Sequence, residues 1–307
     1  MIKSVTVTNY LGDSVKLELM RPEKSGFIVK SIDGLGPSAA NINTTEVSTN
    51  DGSLYNSARL RQRNIVFKLQ FTETDTESIE DIRQKTYKYF PMKKNLIILI
   101  ETDNRIVSTA GYVETNEPNI FDAKGEGCVI SVICPDPFFY SAGKDGTNET
   151  VFYGVQATFE FPFENNSLEE PLLEFGIIMN QTENVITYRG DSEIGLTISI
   201  HAIGEATNIT IYNTGTREQM TIDTDKLVAL TGSGIIPGDT ITITTIKGKK
   251  GITLLRNGKT TNILNCLKKG CNWFTLAKGD NIFAYTAETG SSNLQFRMEN
   301  KIIYDGV

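Results

Sequence analysis

The sequence predicts a mainly β chain in two parts: an α+β unit with one packed helix over residues 1–143, and an all-β sandwich over residues 144–307. Three observations predict it. Short stretches of alternating apolar and polar residues recur along the whole chain. One segment, between Thr74 and Phe90, switches to helical spacing. Between them, Ser141-Ala-Gly-Lys-Asp-Gly-Thr-Asn-Glu-Thr150 loses its apolar content and gains turn residues, which marks a boundary.

In the first part, Val5-Thr-Val-Thr8 alternates. Asn64 to Phe71 sets Ile65, Phe67, Leu69 and Phe71 on one face of a strand. Leu96-Ile-Ile-Leu-Ile100 is a continuous apolar run, predicted to be covered on both faces. Cys128 to Ile133 reads as a further strand. The helix is predicted to start at Thr74, with Glu77 completing a capping box. It buries Ile79, Ile82, Thr86 and Phe90, and stops before Pro91, whose ring cannot continue the hydrogen-bond ladder. Asn50-Asp51-Gly52 is a turn, so residues 40 to 70 read as a projecting hairpin.

In the second part, Thr197–Ile200, Asn208–Tyr212 and Thr240–Thr244 alternate, and Ile252–Leu255 leads into Asn257-Gly258, the strongest short-range hairpin signal. Phe283–Tyr285 and Leu294–Met298 follow. About ten short strands with no convincing helix argue a sandwich or jelly roll.

A chain of 307 residues suits two cores of ordinary size. It carries 37 acidic and 30 basic side chains, a net charge of −7, without the basic excess expected of a nucleic-acid-binding protein. No apolar run approaches a membrane span, and the first residues lack a secretory apolar core, so synthesis and folding in a reducing cytosol are expected. Five Asn-x-Ser/Thr triplets, at Asn43, Asn148, Asn165, Asn180 and Asn208, then read as chance. The cysteine pairs Cys128/Cys134 and Cys266/Cys271 lack zinc-site spacing, so buried inert thiols are expected and no metal site.

No catalytic or cofactor pattern emerges. The single histidine, His201, falls on the polar face of a strand end. Lys247-Gly-Lys-Lys-Gly251 faintly suggests phosphate binding, but it joins two strands with no helix N-terminus after it and reads as a solvated turn. Glu169-Glu170 and Asp223/Asp225 are the only acidic pairs that raise glycoside hydrolysis, and nothing places two carboxyls across a cleft.

Two features invite contacts. Arg59, Arg61 and Arg63 alternate, so in one extended strand their guanidinium groups share a face. They are either edge protection or, with the Asp51-Gly52 tip, a contact strip against a neighbouring subunit. Trp273 is a candidate sugar-stacking platform, with core burial the favoured alternative because Phe274 and Leu276 bracket it.

The ordered set of landmarks resembles the distal tail proteins of long-tailed phages. Asp51–Tyr55 with Arg59–Phe71 looks like that family's early hairpin and basic strand. Cys134-Pro-Asp-Pro-Phe-Phe-Tyr140 resembles the motif closing its first domain. Ile246–Gly251, Asn257-Gly258, Trp273–Ile282 and the tail Tyr304-Asp-Gly-Val307 resemble its second domain's ending. The resemblance implies a tail-tube-like first domain forming a ring, typically a hexamer, and a galectin-like outer sandwich. It implies a non-catalytic, cofactor-free component of the virion tail tip. The implied partners are its own copies, the tail tube protein, tail-tip proteins, and receptor-binding or fibre proteins, with no nucleic acid or membrane bound. The excess length relative to that family falls between 145 and 245. The second reading is a carbohydrate-binding tail module that itself recognises the host surface; a third is a tail-associated glycosidase.

Overall fold

The computed structural model describes the chain except residues 47, 49–50, 122–124, 144–145, 157–176 and 181; of strands 153–156 and 177–180 it describes the backbone alone. It divides into two compact units, Met1–Gly146 with Ile303–Val307, and Thr147–Ile302. The last five residues, which the sequence reading assigns to the second part, belong to the first.

The first unit contains strands β1 (Ile2–Asn9), β2 (Ser14–Glu18), β3 (Phe27–Asp33), β4 (Ala40–Glu46), β5 (Ser53–Leu60) and β6 (Arg63–Phe71). Helix α1 (Ile79–Tyr89) follows, then β7 (Asn95–Thr102), β8 (Ile106–Asn119), β9 (Gly127–Cys134) and β10 (Phe139–Ser141). The main sheet runs β2-β1-β7-β8-β9-β6-β3, with every pairing antiparallel. Alternation puts Val5, Val7, Ile65, Phe67, Ile98, Ile130 and Val132 on the buried face with no exposure.

Helix α1 covers part of that face with Ile82, Thr86 and its C-cap Phe90, whose ring meets Phe67 edge-on at 5.6 Å. The helix starts one turn later than predicted. Ser78 and Asp81 exchange both reciprocal capping bonds, so they outcompete Thr74, which instead closes its own turn by accepting from the Glu77 N–H at 3.1 Å. The Ser78 bonds hold the Asp81 carboxyl below its usual pKa. The expectation for Leu96–Ile100 is corrected: Leu96, Ile98 and Ile100 are buried, but Ile97 on the opposite face is 49% exposed. The outer face of that strand is covered only in part, Leu99 being half-buried.

The second unit contains β11 (Thr147–Val151), β12 (Tyr153–Gln156), β13 (Ile177–Asn180), β14 (Glu183–Tyr188), β15 (Thr197–Ala202), β16 (Thr210–Asn213) and β17 (Glu218–Thr221). Helix α2 (Thr224–Thr231) precedes β18 (Thr240–Thr244), β19 (Gly251–Arg256), β20 (Lys259–Asn262), β21 (Gly279–Thr286) and β22 (Leu294–Lys301). One sheet runs β11-β22-β15-β18-β19-β20 and another β14-β21-β16-β17, while β12 pairs with β13. Inner residues of the two larger sheets interdigitate: Tyr285 of β21 stacks on Phe296 of β22 at 3.8 Å, and Phe152 meets both rings edge-on. The sandwich is therefore as predicted, but it is not helix-free. Asp223 caps α2 by accepting from the Asp225 and Lys226 amides, and Gly232 ends it in the left-handed conformation at φ 83°. At the β19–β20 hairpin, Asn257 and Gly258 both take the positive φ that a tight primed turn requires.

The chain closes with β23 (Ile303–Tyr304), which pairs with β10 of the first unit.

Candidate functional site

Strands β4 and β5 form a two-stranded sheet of their own, separate from the main sheet. All of β5 is exposed, as is β4 apart from the half-buried Asn41. Their register gives the hairpin two unlike faces. Near the root, Ala40, Ile42, Ala58 and Leu60 share one face and Asn41, Asn43, Ser57 and Arg59 the other; a bulge then shifts the register between Asn43 and Thr44, beyond which Thr44 pairs with Tyr55 and Thr45 with Leu54. The first face is apolar and bare, with Ile42 63% and Leu60 43% exposed, and nearer the tip Leu54 is 60% exposed. An isolated two-stranded ribbon is marginally stable in water, because neither face has a core to bury against. Three bare aliphatic side chains on such a ribbon leave apolar surface in water, the kind of patch that marks contact sites. The tip turns at Asp51-Gly52, where Gly52 has φ 86°.

The sequence reading offered Asp51, Gly52, Arg59, Arg61 and Arg63 as one strip. The structure separates them. Strand β5 ends at Leu60 and β6 begins at Arg63, so the three arginines do not lie on one continuous strand. Arg59 and Arg61 are exposed, and the Arg61 Nε donates to Asn41 Oδ1 across the hairpin root. Arg63 is 2% exposed and belongs to the interior.

The Arg63 guanidinium donates to four main-chain carbonyls: Gly34 at 2.6 Å, Gly36 at 2.5 Å, Pro137 at 2.7 and 2.9 Å, and Asp305 at 2.6 Å. It also lies over the Phe139 ring, 4.2 Å from the centroid. One side chain thus ties together the segment leading into the hairpin, the Asp-Pro-Phe motif and the C-terminal tail. Burial pushes its pKa down, opposed by the nearby Cys134, Asp305 and Asp136, and as an arginine it stays charged. The tail is held on its other side by the Val307 N–H donating to the Leu35 carbonyl at 3.1 Å. Gly34, at φ 86°, has no room for a β-carbon, which would come within 1.9 Å of the Asn64 carbonyl oxygen.

The remaining sequence candidates are placed as follows. His201 is exposed on β15 beside Thr240, with Nδ1 3.1 Å from its hydroxyl. Asp223 is the α2 cap, and Glu169-Glu170 lie outside the described residues. Lys247–Gly251 is the turn joining β18 and β19. Trp273 departs from the favoured expectation: Phe274 and Leu276 are fully buried, while Trp273 is half-buried with the Lys250 ammonium over its ring at 5.5 Å. All four cysteines are free; Cys128, Cys134 and Cys266 are buried, and desolvation pushes the Cys128 thiol up to about 12. Among the described residues, no group of three or more His, Cys, Asp or Glu could hold a metal ion, and no helix is long and apolar enough to cross a membrane.

The apolar hairpin face is the part of this surface that sequence reasoning missed. Its signal was present in part: Ala58 and Leu60 fall on even positions of β5, opposite the odd-numbered Arg59.

No protein-family model and no curated protein matches the chain by sequence. Among solved structures, the chain is similar to the Dit protein of phage SPP1, described as a hub of the adsorption apparatus in phages infecting Gram-positive bacteria, with a TM-score of 0.60 and 11% identity over 97% of this chain and 99% of that one. Weaker likenesses are to chains of the phage p2 baseplate in its activated conformation with Sr (TM-score 0.41, 11% identity, 99% of each chain) and with Ca (TM-score 0.43, 12% identity, 100% of each chain). The fold of the chain is that of the SPP1 Dit protein, as the resemblance read from the sequence implies.

Proposed function

We propose that the chain is a structural, non-enzymatic hub component of a phage tail tip or baseplate, forming a ring of about six copies that joins the tail tube to tip, receptor-binding or fibre proteins. The observation that carries this reading is the hairpin of β4 and β5: a two-stranded ribbon with bare aliphatic side chains, rooted beside a buried arginine. The fold shared with the SPP1 hub protein over nearly the full chain supports it. A closed ring needs a head-to-tail contact between unlike patches. The ribbon supplies one such patch, with Ile42, Leu54 and Leu60 seated on the neighbour and Arg59 and Arg61 meeting acidic groups of a chain that is acidic overall.

Light scattering with negative-stain imaging of the concentrated protein, alone and with its tube and tip partners, tests the reading. A closed ring that disappears when residues 41–59 are replaced by a short turn is the expected result. Monomers under every condition, with the altered protein still entering tails, would overturn it.

A further inference from the structure

Two features of the second unit that stand apart in the sequence meet in the fold. The turn Ile246–Gly251 carries Lys247, Lys249 and Lys250, all exposed. Trp273 is half-buried with Lys250 reaching over its ring. The surrounding charge is one-sided. Residues 240–279 hold eight Lys and Arg and no Asp or Glu, in a chain whose net charge is −7. Of those eight, Arg256 is neutralised by the buried Asp239 at 2.5 Å and Lys278 by Asp191 at 3.4 Å. The three lysines of the turn make no ion pair with any described residue.

A partly open indole beside unpaired ammonium groups has a defined recognition chemistry. The apolar ring face accepts the C–H face of a sugar, and the lysines accept an anionic substituent on it. We infer that Trp273 and the Lys247–Lys250 turn form a binding site for an anionic saccharide, a sugar unit bearing a carboxylate or phosphate. A nucleic-acid strand is a poorer fit, because strand binding uses several aromatic platforms in succession along a basic groove, and here there is one ring. The site lies within the second unit and does not depend on the hub reading. Failure of ring formation would leave it standing, and its own failure would leave the ring standing.

Trp273 is the single tryptophan of the chain, so indole fluorescence of the intact protein reports on this position alone. Four probes are titrated: hexagalacturonate, a phosphorylated hexose oligomer, uncharged cellohexaose and a thymidine 20-mer. The expected result is a saturable change with one or both anionic sugars, weakening as salt rises, with cellohexaose much weaker. Which of the two binds tells carboxylate from phosphate. The triple variant Lys247→Gln, Lys249→Gln and Lys250→Gln, all at exposed positions, keeps the fold and the fluorophore and should bind about tenfold or more weakly. Calorimetry on Trp273→Ala should show the same loss without a fluorescence readout. No saturable change with either anionic sugar, equal binding by the triple variant, or tighter binding of the thymidine 20-mer would each overturn the inference.

Discussion

Replacing Arg63 with alanine removes five hydrogen bonds to four main-chain carbonyls and a cation held over Phe139. Hydrogen bonds involving a charged group contribute about 1.5–3 kcal/mol each when deleted singly, but deletions within one network do not add. Removing one partner of a buried charged cluster costs about 3–5 kcal/mol, and that range is the expectation here. For a unit of about 150 residues each kcal/mol moves the midpoint by roughly 2–4 °C, so the first unit should melt roughly 6–20 °C lower. Arg63→Lys should recover little, because a single ammonium cannot reach four carbonyls from a planar fork. The assay is thermal and urea denaturation, read out by hydrogen exchange at β6 and β10 so that the loss is localised to the first unit. A variant within about 1 kcal/mol of the parent would refute the reasoning, and the guanidinium would then be a bystander rather than the tie between hairpin root, Asp-Pro-Phe motif and tail.

Leu54→Asp with Ile42→Asp should leave the monomer's stability within about 0.5 kcal/mol, since both side chains are bare, yet abolish assembly measured by light scattering. Arg59→Glu with Arg61→Glu should weaken assembly less, and increasingly little at high salt; equal assembly in low salt would assign both arginines to edge protection. Deleting Ile303–Val307 removes one of the two strands paired with β10 and the Asp305 carbonyl, and should destabilise the first unit by about 2 kcal/mol or more in urea titration while hydrogen exchange in β15 and β18 of the second stays unchanged. A native-state thiol reagent followed by mass spectrometry should modify Cys271 first, with Cys128, Cys134 and Cys266 reacting only on unfolding; early labelling of Cys128 would contradict its burial.

Where the sequence pattern was period two with one covered face, it located the strands: Ile65, Phe67, Leu69 and Phe71 all point inward as the alternation says. Where it was ambiguous, long-range pairing decided. The apolar run Leu96–Ile100 is compatible with burial on either or both faces, and only the sheet's neighbours leave Ile97 bare. Helix α2 was hidden because its eight residues have weak amphipathic spacing, although its cap Asp223 and its stop Gly232 were both visible. Arg63 was misread for a related reason. Alternation gives the face of a strand but not whether the strand continues, and the break after Leu60 turns an apparent surface strip into two exposed side chains and one buried one. The four carbonyls that receive Arg63 come from residues up to 242 positions away, a spacing no local pattern encodes. The same limit applies to Lys250 and Trp273, which meet only in the fold.

The chain enters the second unit on β11 and leaves it on β22, and these strands are hydrogen-bonded neighbours, Thr147 opposite Lys301 and Asn148 opposite Asn300. Seen from the first unit, everything between Gly146 and Ile303 is therefore one long loop whose ends begin side by side. Such a loop constrains its contents only by the spacing of its two ends. A different folded module with adjacent termini could be grafted between the same two points without disturbing Arg63, β10 or β23. The scaffold and the cargo of this chain can therefore change at different rates, the one held by an internal lock and the other free to be exchanged as a cassette.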